Sequence, residues 1–129
     1  MRYAAGLYSG YVLPMIIEIP IRTKSTANLR EHWAVKAKRA KLERMTVYAS
    51  LLGNDPPGLP LVVKLTRIAP RKLDSDNLSS SFKAIRDGIA DWLQVDDGRD
   101  EIEWSYSQQK GKPKQYAIRI EVCPSTTHG

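Results

Sequence analysis

The amino-acid sequence predicts an α+β protein: a small mixed β-sheet of about four strands with two helices packed on one face. Three segments have apolar residues at every second position, residues 61–68 are predicted as a further strand, and two segments have apolar residues at helical spacing. Their order is strand, helix, strand, helix, strand, strand. With 129 residues, of which 42% are apolar, the chain suffices for one modest core. We therefore expect a single domain over residues 1–129, with 1–14 and 124–129 at its periphery.

The first predicted strand covers residues 15–22. Isoleucine stands at 17, 19 and 21 and charged residues stand at 18 and 22, which is the alternation of a half-buried strand. Pro20 has no amide hydrogen to donate, so we place this strand at an edge of the sheet. The apolar residues before it are interrupted by glycine, serine and proline, and no stretch reaches the roughly 20 apolar residues of a membrane-spanning helix. We expect neither a signal peptide nor a membrane segment.

A long basic helix is predicted from about Ala27 to Leu52, capped by Ser25 or Thr26 and ended by the turn residues 53–58. Its predicted core face begins with Leu29, Trp33, Ala37 and Ala40. Six cations cover most of the remaining circumference: Arg30, Lys36, Lys38, Arg39, Lys41 and Arg44. Two interpretations of these cations stay open, a solvated helix face or contact with phosphate groups.

The second half of the chain predicts a strand at 61–68, a helix at 77–93 and two closing strands. The apolar residues of the helix recur at spacings of 4, 3, 4 and 3, and its opposite face is polar. The closing strands alternate from 102 to 106 and from 116 to 122. We expect these two strands to pair as a hairpin across the basic turn Lys110–Lys114.

Charge is distributed unevenly along the chain. The window from Asp74 to Glu103 contains nine of the fourteen acidic residues and only three of the twenty lysines and arginines. The rest of the chain is strongly basic, and the net charge is +6. Carboxylates suit a divalent cation and surrounding cations suit phosphates, so a metal-dependent enzyme that acts on a polyanion is the hypothesis to test.

Within this window, two short acidic segments are candidate metal sites. Asp74 and Asp76 stand two residues apart, and in an extended segment both side chains would point to one side. Asp96 and Asp97 precede Gly98 after the predicted helix. Each segment also has an ordinary structural interpretation, the first as a helix cap and the second as a turn. The spacing alone leaves both interpretations open.

Residues 73–78, Leu-Asp-Ser-Asp-Asn-Leu, are followed by Lys83, by Asp87-Gly88, and by the segment 93–97, Leu-Gln-Val-Asp-Asp. This pattern resembles the RusA family of Holliday junction endonucleases, whose hallmark is an Asp-x-Asp-Asn motif, a helix with a lysine and a later Asp-Asp pair. The resemblance is strongest over residues 71–98 and looser in the basic helix and the closing strands.

The resemblance implies that Asp74, Asp76 and Asp97 are catalytic carboxylates that bind a metal ion, with Lys83 as the catalytic lysine and Asp96 beside them. It implies Mg²⁺ as the ion, with Mn²⁺ as a substitute, and a homodimer that nicks four-way DNA junctions in recombination and repair. Six cations are expected to contact DNA phosphates: Arg71, Lys72, Lys36, Arg39, Lys110 and Lys112. Two alternatives remain: a basic DNA-binding protein without catalysis, and a nuclease for other branched DNA.

The position of the lysine departs from the family pattern. In the family the lysine follows the second aspartate by about four residues, whereas Lys83 follows Asp76 by seven and position 80 is a serine. On one continuous helix, this difference of nearly one turn would keep Lys83 at the azimuth of Asp76 and move it about 4.5 Å along the axis.

Three further residues receive minor roles. His32 and His128 are candidates for catalytic bases, but other roles are favoured for both. His32 stands beside Trp33, which favours packing or a phosphate contact, and His128 lies in the tail. Cys123 is the single cysteine, which excludes an intramolecular disulfide and is typical of a reducing cytoplasm.

Overall fold

The structure is a computed structural model that describes residues 14–24 and 32–125. These residues form a four-stranded mixed sheet and three helices, which confirms the predicted α+β class. In chain order the elements are β1 (Met15–Ile19), α1 (Trp33–Leu51), β2 (Leu61–Ala69), α2 (Ser75–Ser81), α3 (Lys83–Leu93), β3 (Ile102–Lys110) and β4 (Ala117–Pro124). The expected peripheral segments, His128 included, fall almost entirely outside the described residues. No helix within the described ranges is long and apolar enough to cross a membrane.

The strands lie in the order β1-β4-β2-β3, so the prediction of β1 as an edge strand is confirmed. The predicted hairpin of the two closing strands is wrong, because β2 lies between β3 and β4. Strand β3 pairs with β2 in parallel, and β4 pairs with β1 and β2 in antiparallel orientation. Alternation identifies strands but not their partners; β2 takes the centre because it is apolar and buried along most of its length.

The core lies on one face of this sheet. The register aligns Val63 with Trp104 and Val122, and paired residues of neighbouring strands project from the same face. The helices cover that face with buried apolar side chains: Val47, Leu51, Leu78, Phe82, Ile85, Ile89, Trp92 and Leu93. The sheet and the helices therefore share one core, as the sequence predicted.

Helix α1 begins at Trp33, six residues after the predicted start. His32 has an extended backbone, and its Nδ1 accepts a hydrogen bond from the amide of Ala34 at 3.2 Å, so His32 is the cap. The predicted caps at 25 and 26 lie outside the described residues. His32 thus has a structural role at the end of the helix, and nothing in its contacts favours a role as a base.

The predicted core face of α1 is wrong where the structure describes it. Trp33 is 75% exposed, and Ala37 and Ala40 are exposed as well, while Leu29 lies outside the described ranges. The buried residues of α1 are Val47 and Leu51, in its second half. There α1 packs against α3 where Gly88 has no side chain to separate the two helices.

The helix predicted over 77–93 is two helices. Phe82, with φ −97° and ψ 5°, is at once the C-cap of α2 and the N-cap of α3. The hydroxyls of Ser80 and Ser81 donate to carbonyls three residues earlier, which competes with regular helical bonding just before the break. The argument that Lys83 shares the azimuth of Asp76 therefore fails, because the two residues lie on different helices.

Candidate functional site

Asp74 and Asp76 lie at the start of α2. Asp74 has an extended backbone, and its carboxylate accepts hydrogen bonds from the amide of Asn77 at 2.9 Å and from the side-chain nitrogen of Asn77 at 3.1 Å. Asp76 is exposed in the first turn of the helix. Helix capping by Asp74, one of the two interpretations left open by the sequence, is therefore present in the structure. The cap also fixes the Asp74 carboxylate and leaves that of Asp76 accessible.

The loop before Asp74 is fastened to the sheet by two neighbouring strands. The Gln108 side chain on β3 accepts from the Leu73 amide at 2.8 Å and donates to the Leu73 carbonyl at 2.7 Å. The Arg67 guanidinium on β2 donates to the carbonyl of Arg71 at 2.7 Å. These bonds satisfy main-chain groups that a regular element would otherwise pair. The entry to the first acidic segment thus has a defined path.

Asp97 lies in the loop after α3, where the chain has doubled back to the beginning of that helix. Its carboxylate contacts the Lys83 ammonium at 3.3 Å and the Arg86 guanidinium at 3.1 Å, and its side chain is only 16% exposed. The indole nitrogen of Trp104 donates to the main-chain carbonyl of Asp97 at 3.0 Å. Both ends of this residue, carboxylate and main chain, are therefore held.

Lys83 bridges two carboxylates. Its ammonium donates to Asp87 at 2.9 Å and to Asp97 at 3.3 Å. The hydrogen bond that Lys83 donates to Asp87, together with the one it donates to Asp97, raises the pKa of Lys83 against the opposing effect of partial burial. Partial burial acts to raise the pKa of Asp97, but the hydrogen bond and charge of Lys83 and the charge of Arg86 hold it below the ordinary value. Both pKa shifts favour the charged forms of Lys83 and Asp97, so these two groups form an ion pair at neutral pH.

Asp87 and Arg86 are the members of this cluster that sequence reasoning missed. Asp87 belongs to the polar face of the predicted helix and received no role in the site, yet its carboxylate lies closer to the Lys83 ammonium than that of Asp97 does. The spacing of four residues between Lys83 and Asp87 was a signal available in the sequence, since such pairs meet on a helix. Arg86 had no such signal. It reaches Asp97 only because the loop doubles back, and its guanidinium lies 5.2 Å from the Trp104 ring centre.

Strand β3 holds both acidic segments from one face. Its residues Trp104, Tyr106 and Gln108 alternate onto the core side, where Tyr106 stacks on Phe82 with ring centres 5.7 Å apart. Trp104 holds the loop of Asp97 and Gln108 holds the loop that leads to Asp74. Four residues of strand, about 13 Å, separate these two supports. One edge strand therefore sets the spacing of the two loops.

The carboxylates suit Mg²⁺ in chemical type, since the ion prefers oxygen ligands. Within the residues that the structure describes, no three His, Cys, Asp or Glu side chains are gathered for a metal ion. Asp74 is engaged as a cap and Asp97 in ion pairs, while Asp76 is exposed. The carboxylates are thus the type of ligand that Mg²⁺ takes, but the described structure does not gather them around one point, and a cation bound by Asp97 would compete with Lys83 and Arg86.

A cationic groove lies between α1 and the junction of α2 with α3. It has a volume of about 550 Å³, and Ser80, Ser81 and Ala84 form part of its wall. Six of its lining residues are cations, against the acids Glu43 and Asp87: Lys24, Lys36, Arg39, Lys41, Arg44 and Lys83. The structure thus brings the predicted phosphate contacts Lys36 and Arg39 to the same groove as Lys83. Arg44 is engaged by Asp91 through two hydrogen bonds.

The other predicted phosphate contacts cluster at one end of the sheet. Arg71 and Lys72 are exposed in the loop after β2, and Lys110 and Lys112 are exposed at the end of β3 and beyond it. The register pairs Ala69 with Lys110, so these two groups of cations emerge side by side. The cations thus form two surfaces, the groove and this end of the sheet. The acidic segments follow or precede the helices and strands that carry these cations.

Of the remaining acids of the window, Asp96 and Glu101 bond to residues close in sequence, whereas Asp91 pairs with Arg44 on α1. Asp96 accepts a hydrogen bond from the amide of Gly98 at 3.1 Å, which is the turn interpretation of that segment. Glu101 pairs with Arg99. Asp96 therefore supports the loop that presents Asp97.

Fold and site together define an α+β protein whose acidic loops are fastened to a basic sheet and helix layer. The chain is similar to an uncharacterized protein of Xylella fastidiosa, with 33% identity over 111 residues that cover 77% of this chain and 71% of that protein. The chain belongs to the same family as the Xylella protein. No family model matches the chain. The name of the relative states no activity.

Proposed function

We propose that the protein is a Mg²⁺-dependent endodeoxyribonuclease that nicks four-way DNA junctions in recombination and repair in the cytoplasm. The observation that carries the proposal is the attachment of both acidic loops to one face of β3, with Lys83 in contact with Asp97. Acidic residues that served only to cap a helix or form a turn would not require both of their loops to be bonded to the same strand. The RusA-like motif of residues 74–97 supplies the reaction and the junction substrate.

In this proposal Asp74, Asp76 and Asp97 hold the metal ion. When bound, the ion would supply a polarised water and neutralise charge on the scissile phosphate. Lys83 carries a positive charge that stabilises negative charge on the phosphate or the departing oxygen. Asp87 keeps the ammonium of Lys83 at its position, and Arg86 does the same for the carboxylate of Asp97.

DNA binding is supported by the two cationic surfaces. Lys36 and Arg39 line the groove, Arg71 and Lys110 are exposed at the sheet end, and in this proposal these cations contact DNA phosphates. Such contacts release counterions and give affinity without sequence preference. Two symmetric nicks in a junction require two active sites, so the proposal includes a homodimer with two-fold symmetry.

A second candidate is a DNA-binding protein without catalysis. The observations in its favour are the cap made by Asp74 and the engagement of Asp97 by two cations, which give those acids structural roles. This candidate predicts junction binding with no Mg²⁺-dependent cleavage by the unaltered protein.

The test compares Asp76→Asn with Asp100→Asn. Asp76 is exposed and its side chain has no hydrogen bond to the rest of the described chain, so its substitution should leave the fold intact. Asp100 is an exposed acid of the same window outside the site. We expect the unaltered protein and Asp100→Asn to nick a labelled four-way junction in Mg²⁺, and Asp76→Asn to bind it without nicking. Unchanged nicking by Asp76→Asn would refute the assignment, and binding without nicking by all three would favour the second candidate.

Junction preference is tested separately from the site. A panel of four-way junctions, Y-forks and linear duplex at one salt concentration distinguishes the proposed substrate from other branched DNA. Preferential nicking of the four-way junction supports the proposal. Equal or faster nicking of Y-forks would assign the same site to a broader nuclease.

A further inference from the structure

Arg67 is a buried arginine on the central strand. It is 9% exposed and is aligned with Gln108 on β3 and Ile118 on β4, so it lies on the same sheet face as the core. Burial of a guanidinium is costly unless a carboxylate or another anion pairs with it. Unlike its apolar neighbours in the core, Arg67 is therefore expected to have an anionic partner.

No carboxylate of the described chain forms a salt bridge with Arg67. Four other arginines each have such a partner: Arg44 with Asp91, Arg86 with Asp97, Arg99 with Glu101 and Arg119 with Glu18. Nη1 of Arg67 donates to the carbonyl of Arg71, but its Nε is buried without a hydrogen-bond partner. Arginine binds carboxylates and phosphates through two parallel N–H groups, and Nε–H can be one of them. In Arg67 this Nε–H has no acceptor within the described residues.

A second arginine increases the local positive charge. Arg22 is exposed, and its guanidinium lies over the ring of Tyr116 at 4.3 Å from the ring centre. Tyr116 directly precedes Ala117, which pairs with Ile68, so Arg22 lies at the end of β2 that carries Arg67. Burial and the nearby charge of Arg22, in that order, lower the pKa of Arg67. Two guanidinium groups near each other repel, and an anion between them would relieve both the repulsion and the missing hydrogen bond.

We propose that Arg67 and Arg22 bind a phosphate group, with Tyr116 holding Arg22 in place. Arg67 also holds the Arg71 carbonyl, three residues before Asp74, so a phosphate bound here lies beside the loop of the candidate site. The assignment of that phosphate to a DNA strand rests on the proposed function. Its chemistry does not, since a free phosphate ion offers the same oxygens.

The experiment measures the affinity of the full chain for inorganic phosphate, by calorimetry and by the rise in melting temperature with phosphate at constant ionic strength. The main variant is Arg22→Gln, because Arg22 is exposed and its loss leaves the bond from Arg67 to Arg71 in place. Lys64→Gln is the matched control: Lys64 is an exposed cation on β2 whose side chain alternates to the opposite sheet face. We expect phosphate affinity to fall about tenfold in Arg22→Gln, the loss of one charged hydrogen bond, and to stay unchanged in the control.

A second variant, Arg67→Lys, keeps the charge and removes the two parallel N–H groups, and it should also weaken phosphate binding. Equal phosphate affinity in the unaltered protein, Arg22→Gln and Lys64→Gln would overturn the proposal. A short DNA oligonucleotide then separates the two sources of phosphate. If Arg22→Gln weakens DNA binding as well, the site takes a backbone phosphate; if DNA binding is unchanged while phosphate binding falls, it takes the free ion.

The outcome is independent of catalysis. Phosphate affinity is measured without Mg²⁺ and without cleavage, and Asp76→Asn should bind phosphate as the unaltered protein does. A protein that fails to nick DNA but shows the tenfold difference keeps the phosphate site and loses the nuclease. A protein that nicks DNA but shows no difference keeps the nuclease and loses the phosphate site.

Discussion

Substitution of Gln108 tests how the loop before Asp74 is held on the sheet. The substitution Gln108→Leu keeps the approximate size of the side chain and removes both of its hydrogen bonds to Leu73, of 2.8 and 2.7 Å. Gln108 is partly buried, so water replaces those bonds incompletely. At about 1 kcal/mol for each bond, we expect the free energy of unfolding to fall by about 2 kcal/mol.

Two measurements check this magnitude. Urea denaturation gives the global loss, and amide hydrogen exchange reports the Leu73 amide directly. A local loss of about 2 kcal/mol corresponds to roughly 30-fold faster exchange at that amide. Gln109→Leu is the matched control, because Gln109 is the exposed neighbour on the opposite face, where its side chain accepts a hydrogen bond from the Arg119 side chain and does not bond the loop before Asp74. We expect its effect to stay within about 0.5 kcal/mol.

The reasoning would be refuted if the two leucine variants lost equal stability, or if Leu73 exchanged at an unchanged rate in Gln108→Leu. Either result would mean that Gln108 does not hold the loop. If the proposed function is correct, Gln108→Leu should also slow junction nicking while DNA affinity is retained, because the substitution moves a carboxylate and removes no cation.

Three further predictions concern stability. Gly88→Ala should lower the melting temperature, because a Cβ there would meet the main-chain oxygen of Arg44 at 2.6 Å, whereas Gly98→Ala, whose nearest neighbour is a side-chain atom at 3.7 Å, should change it little. Burial raises the pKa of Glu43 to about 6, so its charged form destabilises the fold above that pH. Glu43→Gln should therefore have a higher melting temperature than the unaltered protein at pH 7. Thermal melts should show this difference disappearing as the pH falls from about 6 to 4.5. The hydrogen bond from Arg44 lowers the pKa of Asp91, so this pair stabilises the fold above about pH 4 and its contribution is lost at lower pH. Because the pair is exposed, Asp91→Asn should lower the free energy of unfolding by less than about 1 kcal/mol at pH 7. Urea denaturation should show no difference between this variant and the unaltered protein in strong acid.

The sequence predicted the elements better than their arrangement. All four strands and the basic helix were identified, and alternation located strands because its period reflects burial on one face. The spacing in the basic helix, by contrast, predicted the wrong core face. The partner of β3 was not predictable, since a strand that alternates fits a hairpin or a parallel pair equally well. The break at Phe82 was also missed: its apolar side chain continues the helical stripe, while the interruption arises in the main chain.

The candidate site was predictable in composition but only partly in geometry. The motif named Asp74 and Lys83 as members, and the charge pattern named the cations around them. The contacts that bring Lys83 to Asp97, and Trp104 and Gln108 to the acidic loops, depend on the return of the chain after α3. They join residues far apart in sequence, and no local pattern reports them.

The parallel pairing of β2 with β3 also has a consequence for folding. Segment 70–101 joins these strands and contains eight of the fourteen acidic residues, so the first contact, Leu61 with Ile102, closes a loop of about forty residues. The chain entropy of such a closure costs about 3 kcal/mol before any ladder bond repays it. We therefore expect β3 to join the sheet only together with α2 and α3, in one cooperative step, so that native-state hydrogen exchange should show no partly folded species that keeps the complete sheet and lacks the acidic loops.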